Sequence, residues 1–574
     1  MKNTRILLPL LIFVVAVAVH LRAVNYGFVS DEKLLITQNR TVRDLRLGEM
    51  LTGKFWPGEY RGVYYRPAVT LSYGLGHAMA GEAPWFHHLG NFVFHGLAAL
   101  GVYFLLLRLF KNPTVAFMAS IVFAVHPVHT ESVVWIPGRT DVMAAAFGLF
   151  AWLALLKARG PQETALRASW FFTSLLLFIL ALGSKEVALV FPALVLAADY
   201  FGKIQDSSPW QSMKKRLPEY AVMGAVAVLY LVARTSILSG EGPGPAADPL
   251  AAFTIFHRVL AIITVFAASF LKMLWPHPWL PDFAYEDAFV NMPMAFMLVA
   301  AAFVVVLLGL AFEYRKTKPL YSFSIVATLL SILPSSHVVP FPTVFAERFL
   351  YLPSVFFSAL AGLVLYDLLQ AASFKKRAIV IIGLFVITLS ILSAGRASSF
   401  KNGIVFWKNV VNEAPDLHIA HKWLADFHQE EDNHRKALQH YEWALNLDPD
   451  FTPARLNQVY SLIMSGRPEQ AEERLDKLSA KEDLQTKTVE SVADLYNELG
   501  LAYSRRYKWS SAKRQWERAL ELSPENAESH ILLARLYLTV LDDKEKGRSH
   551  LRKAKQLAPD HPLLQKLKSG MQRY

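Results

Sequence analysis

From Arg5 to about Gly395 the chain is a succession of apolar runs, most of them near the ~20 residues a helix needs to cross a bilayer. The runs centre on residues 6–23, 88–107, 113–127, 141–157, 168–183, 186–201, 218–236, 294–313, 319–336, 350–370 and 377–394. A twelfth, 256–275, carries His257, Arg258 and Lys272 and is read as re-entrant or interface-lying, which leaves about eleven crossings. Ala16-Val17-Ala18 looks like a signal-peptide cleavage site. It lies inside the first apolar run, not after it, so an uncleaved anchor is expected.

Beyond Arg396 the chain is charged and helical in pattern, with no spanning run. A membrane domain over 1–396 and a repeat domain over 397–574 follow. In the second part Leu424, Ala425, Ala437, Tyr441, Ala444 and Pro449 recur with identical offsets as Leu499, Gly500, Ala512, Trp516, Ala519 and Pro524. A further copy ends Leu551, Ala554, Pro559, and a weaker unit spans Phe451–Ala480. Small residues where two helices cross, aromatics filling the gap and a proline after the second helix match the roughly 34-residue tetratricopeptide pattern. About four repeats are expected, with a concave surface suited to a peptide or protein.

The net charge of +12 is not a nucleic-acid signal, because much of it sits in short loops between apolar runs. Arg108 and Lys111, Lys157 with Arg159 and Arg167, Lys214 to Arg216, Arg315 to Lys318 and Lys375 to Arg377 fall on one side of the topology. The positive-inside rule makes that side cytoplasmic. These inner loops look like plain orienting loops. The outer loops, 25–85, 126–141, 184–186 and 340–349, mix acids, bases and histidines. The absence of cysteine excludes disulfides and thiolate metal sites.

The densest outer segment, His126 to Asp141, packs His126, His129, Glu131, Arg139 and Asp141 into one gap between apolar runs. Charges at membrane depth are costly and usually mark a site. His126-x-x-His129 with Glu131 and Asp141 is open to three readings: a metal site, sugar-hydroxyl recognition, or structural hydrogen bonding. Pro127 makes a regular helix through the pair doubtful. His87-His88 and the tryptophans Trp56, Trp85, Trp135, Trp275 and Trp279 suit an interfacial belt. No glycine-rich nucleotide loop, dinucleotide fingerprint or nucleophile elbow is found.

The motifs His126-Pro-Val-His-Thr-Glu131, Gly138-Arg-Thr-Asp141, Ser184-Lys-Glu186 and Ala346-Glu-Arg-Phe-Leu-Tyr-Leu-Pro353 resemble those of the transmembrane and tetratricopeptide-repeat O-mannosyltransferase-like family. That family belongs to the GT-C glycosyltransferases, which use lipid-phosphate sugar donors. An early acidic pair, multiple spans and C-terminal repeats occur in the same order. Here the pair reads Asp31-Glu32 rather than two aspartates, Thr140 replaces a more usual small apolar residue, and the repeat array is short.

The resemblance implies an all-α protein: a polytopic membrane helix domain of GT-C type followed by a soluble tetratricopeptide-repeat α-solenoid. It implies an inverting transferase that moves a hexose such as mannose from a polyprenyl-phosphate donor to a hydroxyl, that of serine or threonine in an exported protein. Asp31 would be the base that activates the acceptor, with Glu32 as helper or metal ligand. Arg139, Lys185 and Arg348, with Arg66 as a weaker candidate, would bind the donor phosphate. His126, His129, Glu131, Asp141, Glu186 and Glu347 complete the expected substrate-binding set, and a divalent Mg or Mn is an option. The expected setting is a bacterial inner membrane, with the outer loops and repeats periplasmic. The rival reading is a non-catalytic membrane scaffold that recruits envelope or export proteins through its repeats.

Overall fold

The computed structural model describes residues 4–57, 64–161, 163–202, 209–239, 248–251, 253–276, 289, 292–339, 343–371, 373–480 and 486–571. Residues 58–63 and 340–342 of the expected outer loops, Trp279 and part of the polar insertion after Ala480 lie outside them. Among the described residues every regular element is helical and no strand occurs. The chain divides into two compact units, Met1–Phe406 and Trp407–Tyr574.

In lipid a backbone must satisfy its own hydrogen bonds, and helices do so within one segment. The first unit accordingly holds, among the described residues, nine helices long and apolar enough to cross a bilayer. It has the construction of an integral membrane protein. Several helices begin on proline, including Pro67–Ala80, Pro84–Phe110 and Pro113–Val125, where the missing N–H costs nothing. Asn112 caps the last of these, its Oδ1 accepting from the amides of Thr114 at 3.0 Å and Val115 at 3.2 Å.

The Pro84–Phe110 helix is the hub, packing against Thr4–His20, Pro113–Val125 and Arg139–Ala158. Phe92, Phe123, Trp152, Phe178, Phe191 and Phe356 are buried in the shared core. Helices approach closely at small residues: a Cβ on Gly148 would lie 2.1 Å from the Phe191 ring, and one on Gly362 would lie 2.9 Å from Ala119. Outward faces stay apolar, with Val299 68% and Ile381 66% exposed, which suits contact with lipid rather than water.

Several expected spans take other forms. The 186–201 run is a 3₁₀ turn, Glu186–Val190, followed by an eleven-residue helix, Phe191–Phe201. The 319–336 run is a fourteen-residue helix, Pro319–Ile332, closed by a 3₁₀ turn. Ile255–Leu274, expected to be re-entrant or interface-lying, is an unbroken 20-residue helix with sufficient length and apolarity to cross. The break falls elsewhere. Pro113–Val125 and Pro127–Val134 meet at 50°, because Pro127 cannot continue the ladder and holds His126 extended at ψ 130°.

The second unit is a row of helical hairpins: His418–Glu430 with His434–Leu447, Thr452–Met464 with Pro468–Ser479, Thr486–Arg505 with Trp509–Leu522, and Ala527–Thr539 with Lys544–Leu557. The repeated positions behave as the pattern requires. Ala425, Ala437, Tyr441 and Ala444 are buried in one hairpin, and Ala512, Trp516 and Ala519 in another. The Trp516 indole donates to the Asn497 carbonyl at 3.2 Å.

Candidate functional site

The described parts of the polar loops expected to be outer converge on one end of the first unit as interlocking ion pairs. The Lys185 ammonium sits between both carboxylate oxygens of Asp141, at 2.7 and 2.8 Å. Lys185 follows the Thr164–Leu182 helix, and Asp141 lies in the first turn of Arg139–Ala158. Glu131 accepts from the Arg348 guanidinium at 2.5 Å and from its amide at 3.1 Å. Glu186 accepts from Arg66 at 3.3 Å and faces Arg234 at 3.7 Å. Buried Glu347 binds both Lys272 and Arg396.

Three of these pairs form one electrostatic cluster. Arg66 and Arg348 act on Lys185, and Asp141 acts on Arg66. Burial pushes the Lys185 ammonium below its ordinary value, and Asp141 opposes the shift. Phe349 lies 5.1 Å from both the Lys185 and the Arg348 charge, Trp135 lies 5.4 Å from Arg348, and Tyr64 lies 4.4 Å from Arg66. The cations thus rest on aromatic faces, which keeps them attracted without neutralising them. The Arg66 Nε is buried and has no acceptor among the described residues.

Asp31 and Glu32 separate in role. Glu32 is 1% exposed and accepts from the amides of Ser30 at 2.7 Å and Val29 at 3.2 Å. Burial raises its carboxyl from 4.5 to about 7, against the lowering effect of those amides. Asp31 is only partly buried and accepts from the Ser30 hydroxyl at 3.3 Å. The loop that carries them folds onto the Pro67–Ala80 helix, where Tyr73 feels the charges of Glu32, Arg139 and Arg66. Tyr73 donates to the Ile136 carbonyl at 3.2 Å and joins this loop to the 126–141 segment.

Three expected assignments change. Arg139 points into the protein: its Nε reaches Asn91 at 2.8 Å, its two terminal nitrogens reach Ser72 at 3.3 Å and the His87 carbonyl at 2.5 Å, and it lies over Tyr73. With those donors taken and 3% exposure, it is a clasp between helices rather than a phosphate ligand. His126 is buried, with Nε2 2.8 Å from the Met273 carbonyl and Nδ1 accepting from Val128. His129 is fully buried, 2.6 Å from the Ser354 hydroxyl. Both histidines are thus buried and bonded within the protein, where they tie the bent segment to neighbouring helices. His87 and His88 are likewise buried rather than interfacial.

Other residues carry the site without having been singled out. Asn91 donates to the carbonyls of Trp135 and Ile136, at 3.2 Å each, while accepting from Arg139. Arg396 spans the Pro127 and Pro276 carbonyls as well as Glu347. Arg234 is a further member of the pairs, as is Lys272, read from the sequence only as a charge within its apolar run. A lone amide or cation in an apolar run was the available signal in each case. Among the described residues no three histidine, aspartate or glutamate side chains converge so as to hold a metal ion. At the helix ends expected to be cytoplasmic, Asp199 binds Arg159, Arg216 and Tyr220, and Glu219 binds Arg159.

Fold and site together define a polytopic helical membrane protein with a charged, ion-paired loop cluster and a tetratricopeptide array. A tetratricopeptide-repeat family model matches residues 428–487. The human protein O-mannosyl-transferase TMTC3 is 24% identical over 506 residues, covering 81% of this chain and 54% of that protein. The protein O-mannosyl-transferase F38B6.6 of Caenorhabditis elegans is 24% identical over 77% of this chain and 63% of its own length. Over most of its length the chain is thus similar to proteins named as O-mannosyl-transferases, while spanning only 54% and 63% of the length of these two relatives. Among solved structures, ArnT from Cupriavidus metallidurans bound to undecaprenyl phosphate aligns over 88% of this chain and 90% of its own, at 13% identity and a TM-score of 0.39.

Proposed function

We propose that the protein is an integral-membrane, inverting glycosyltransferase of GT-C type. It moves a hexose, mannose by analogy with its relatives' names, from a polyprenyl-phosphate carrier to a serine or threonine hydroxyl of an exported protein. The observation that carries this reading is the group of three cations, Arg66 and Arg348 acting on Lys185, which is paired to Asp141, with the buried Arg66 Nε lacking an acceptor among the described residues. A buried donor without a partner costs about 1–3 kcal/mol, and a phosphate oxygen would supply that partner.

Chemically, the acceptor oxygen attacks the anomeric carbon as Asp31 takes its proton. The bond from that carbon to the phosphate oxygen breaks, and the phosphate leaves with the electron pair. Lys185, Arg348 and Arg66 stabilise the charge that develops. Asp141, Glu131 and Glu186 hold those cations until the donor arrives. Glu32, largely neutral below pH 7, shapes the Asp31 loop. The reaction belongs on the non-cytoplasmic face of a bacterial inner membrane, opposite the basic loops, with the repeats presenting the acceptor protein.

The test is transfer of labelled hexose from polyprenyl phosphate by the purified full chain, wild type beside Asp31→Asn, with periplasmic extract as acceptor source. Label on protein with the wild type, and a loss of ~10²-fold or more in a folded Asp31→Asn variant, is expected. Undiminished transfer by that variant would remove Asp31 as base. No transfer by wild type from any polyprenyl-phosphate hexose would remove the function.

A further inference from the structure

At the end of the helices remote from the ion-paired loops, Pro84–Phe110, Arg139–Ala158 and Thr164–Leu182 enclose a groove of about 630 Å³. Phe104, Phe150, Leu153, Leu156 and Leu177 line it. Two cations, Arg108 and Lys157, stand in the last turns of their helices on the same concavity, and among the described residues no acidic side chain lines it. Trp170 sits beneath Lys157, with the ammonium 3.8 Å from the ring centroid. Arg108 makes no ion pair or hydrogen bond among the described residues, in contrast to Arg159 close by, which binds Asp199 and Glu219.

Cations in a last helical turn complement the helix dipole, but that role needs no cavity. An apolar slot between membrane helices, with a tryptophan and two cations at its mouth, suits a lipid that lays one of its acyl chains in the slot and its negative head at the mouth. We propose that this groove binds an anionic phospholipid, with an acyl chain along Phe104, Phe150 and Leu177 and the phosphate between Arg108 and Lys157. The site is separate from the outer cluster, so the proposal stands whatever reaction that cluster performs.

The test uses the purified full chain in detergent and measures binding of phosphatidylglycerol and of phosphatidylcholine by native mass spectrometry. Phosphatidylglycerol should be preferred, and Arg108→Gln with Lys157→Gln should weaken it roughly thirtyfold while leaving phosphatidylcholine unchanged. Leu153→Trp, which fills the slot and keeps both charges, should lower retention of either lipid. Equal binding of the two lipids by wild type, or a preference that survives the double substitution, would overturn the proposal. So would displacement of phosphatidylglycerol by equimolar undecaprenyl phosphate, which would assign the groove to the carrier. Should the double variant not fold, the wild type decides: a phosphatidylglycerol preference that fades as salt rises supports the site, and one indifferent to salt does not.

Discussion

Lys185 and Asp141 form a two-pronged ion pair, 2.7 and 2.8 Å, between residues 44 positions apart, with both side chains at most one-tenth exposed. Each charge is tolerated at that depth because the other is there. Asp141→Asn alone should therefore lower stability by about 3 kcal/mol, since it leaves Lys185 buried beside Arg66 and Arg348. Lys185→Met with Asp141→Leu should recover most of that loss while abolishing transfer. Thermal unfolding of wild type, Lys185→Met, Asp141→Leu and the double variant in one detergent checks it: additive losses in the double variant would show that the two residues do not act as a pair.

Glu32 makes stability depend on pH. Its folded-state carboxyl, at about 7, lies above the ordinary 4.5, so the native protein keeps a proton that the unfolded chain releases in between. The neutral carboxyl's contribution is full below about pH 4.5 and is lost as pH rises through about 7. A span of ~2.5 pH units amounts to about 3 kcal/mol. Wild-type melting temperature should fall from pH 5 to pH 8 relative to Glu32→Gln, whose profile should be flatter. Parallel profiles would sink the assignment.

Arg139→Lys should act on the fold. A lysine cannot reach Asn91, Ser72 and the His87 carbonyl together, and loss of charge-assisted bonds of this kind costs about 2 kcal/mol. The expected outcome is a lower melting temperature with an unchanged KM for the lipid donor. A raised donor KM with intact stability would return Arg139 to the phosphate.

Gly500→Ala should destabilise the repeat unit by about 1–3 kcal/mol, because the new methyl would lie 2.3 Å from the Trp516 indole nitrogen and force it off the Asn497 carbonyl. Gly466→Asn is the comparison: φ there is +74° and the nearest atom a Cβ would meet is 3.6 Å away, at the tip of Arg506, so asparagine should be tolerated far better. Limited proteolysis and thermal melting of the two variants separate the outcomes.

The repeats were legible because their constraints are local. Trp516 meets Asn497 and Gly500 within one hairpin, so spacing alone carries the contact. The loop between His126 and Asp141 was legible as a concentration of polar residues, and the helical membrane unit followed from run lengths. The jobs of individual side chains were not legible. Arg139 is a clasp because Asn91 and His87 stand 48 and 52 positions away, and His129 is structural because Ser354 lies 225 positions on. Nothing in a single sequence reports which of several cations meets a carbonyl and which is left facing a cavity. Glu32 and Asp31 are neighbours with one charge type, yet the turn of the loop buries one and leaves the other partly open.

The carboxylates beside Arg66, Lys185 and Arg348 also bear on how a turnover ends. Each is fixed by the backbone a bond's length from its cation, so its effective concentration there exceeds what any freely diffusing lipid phosphate attains. On the proposed function, a spent carrier would thus meet competitors that stay in place, and the carboxylates that share the cations would contend with the used lipid for them.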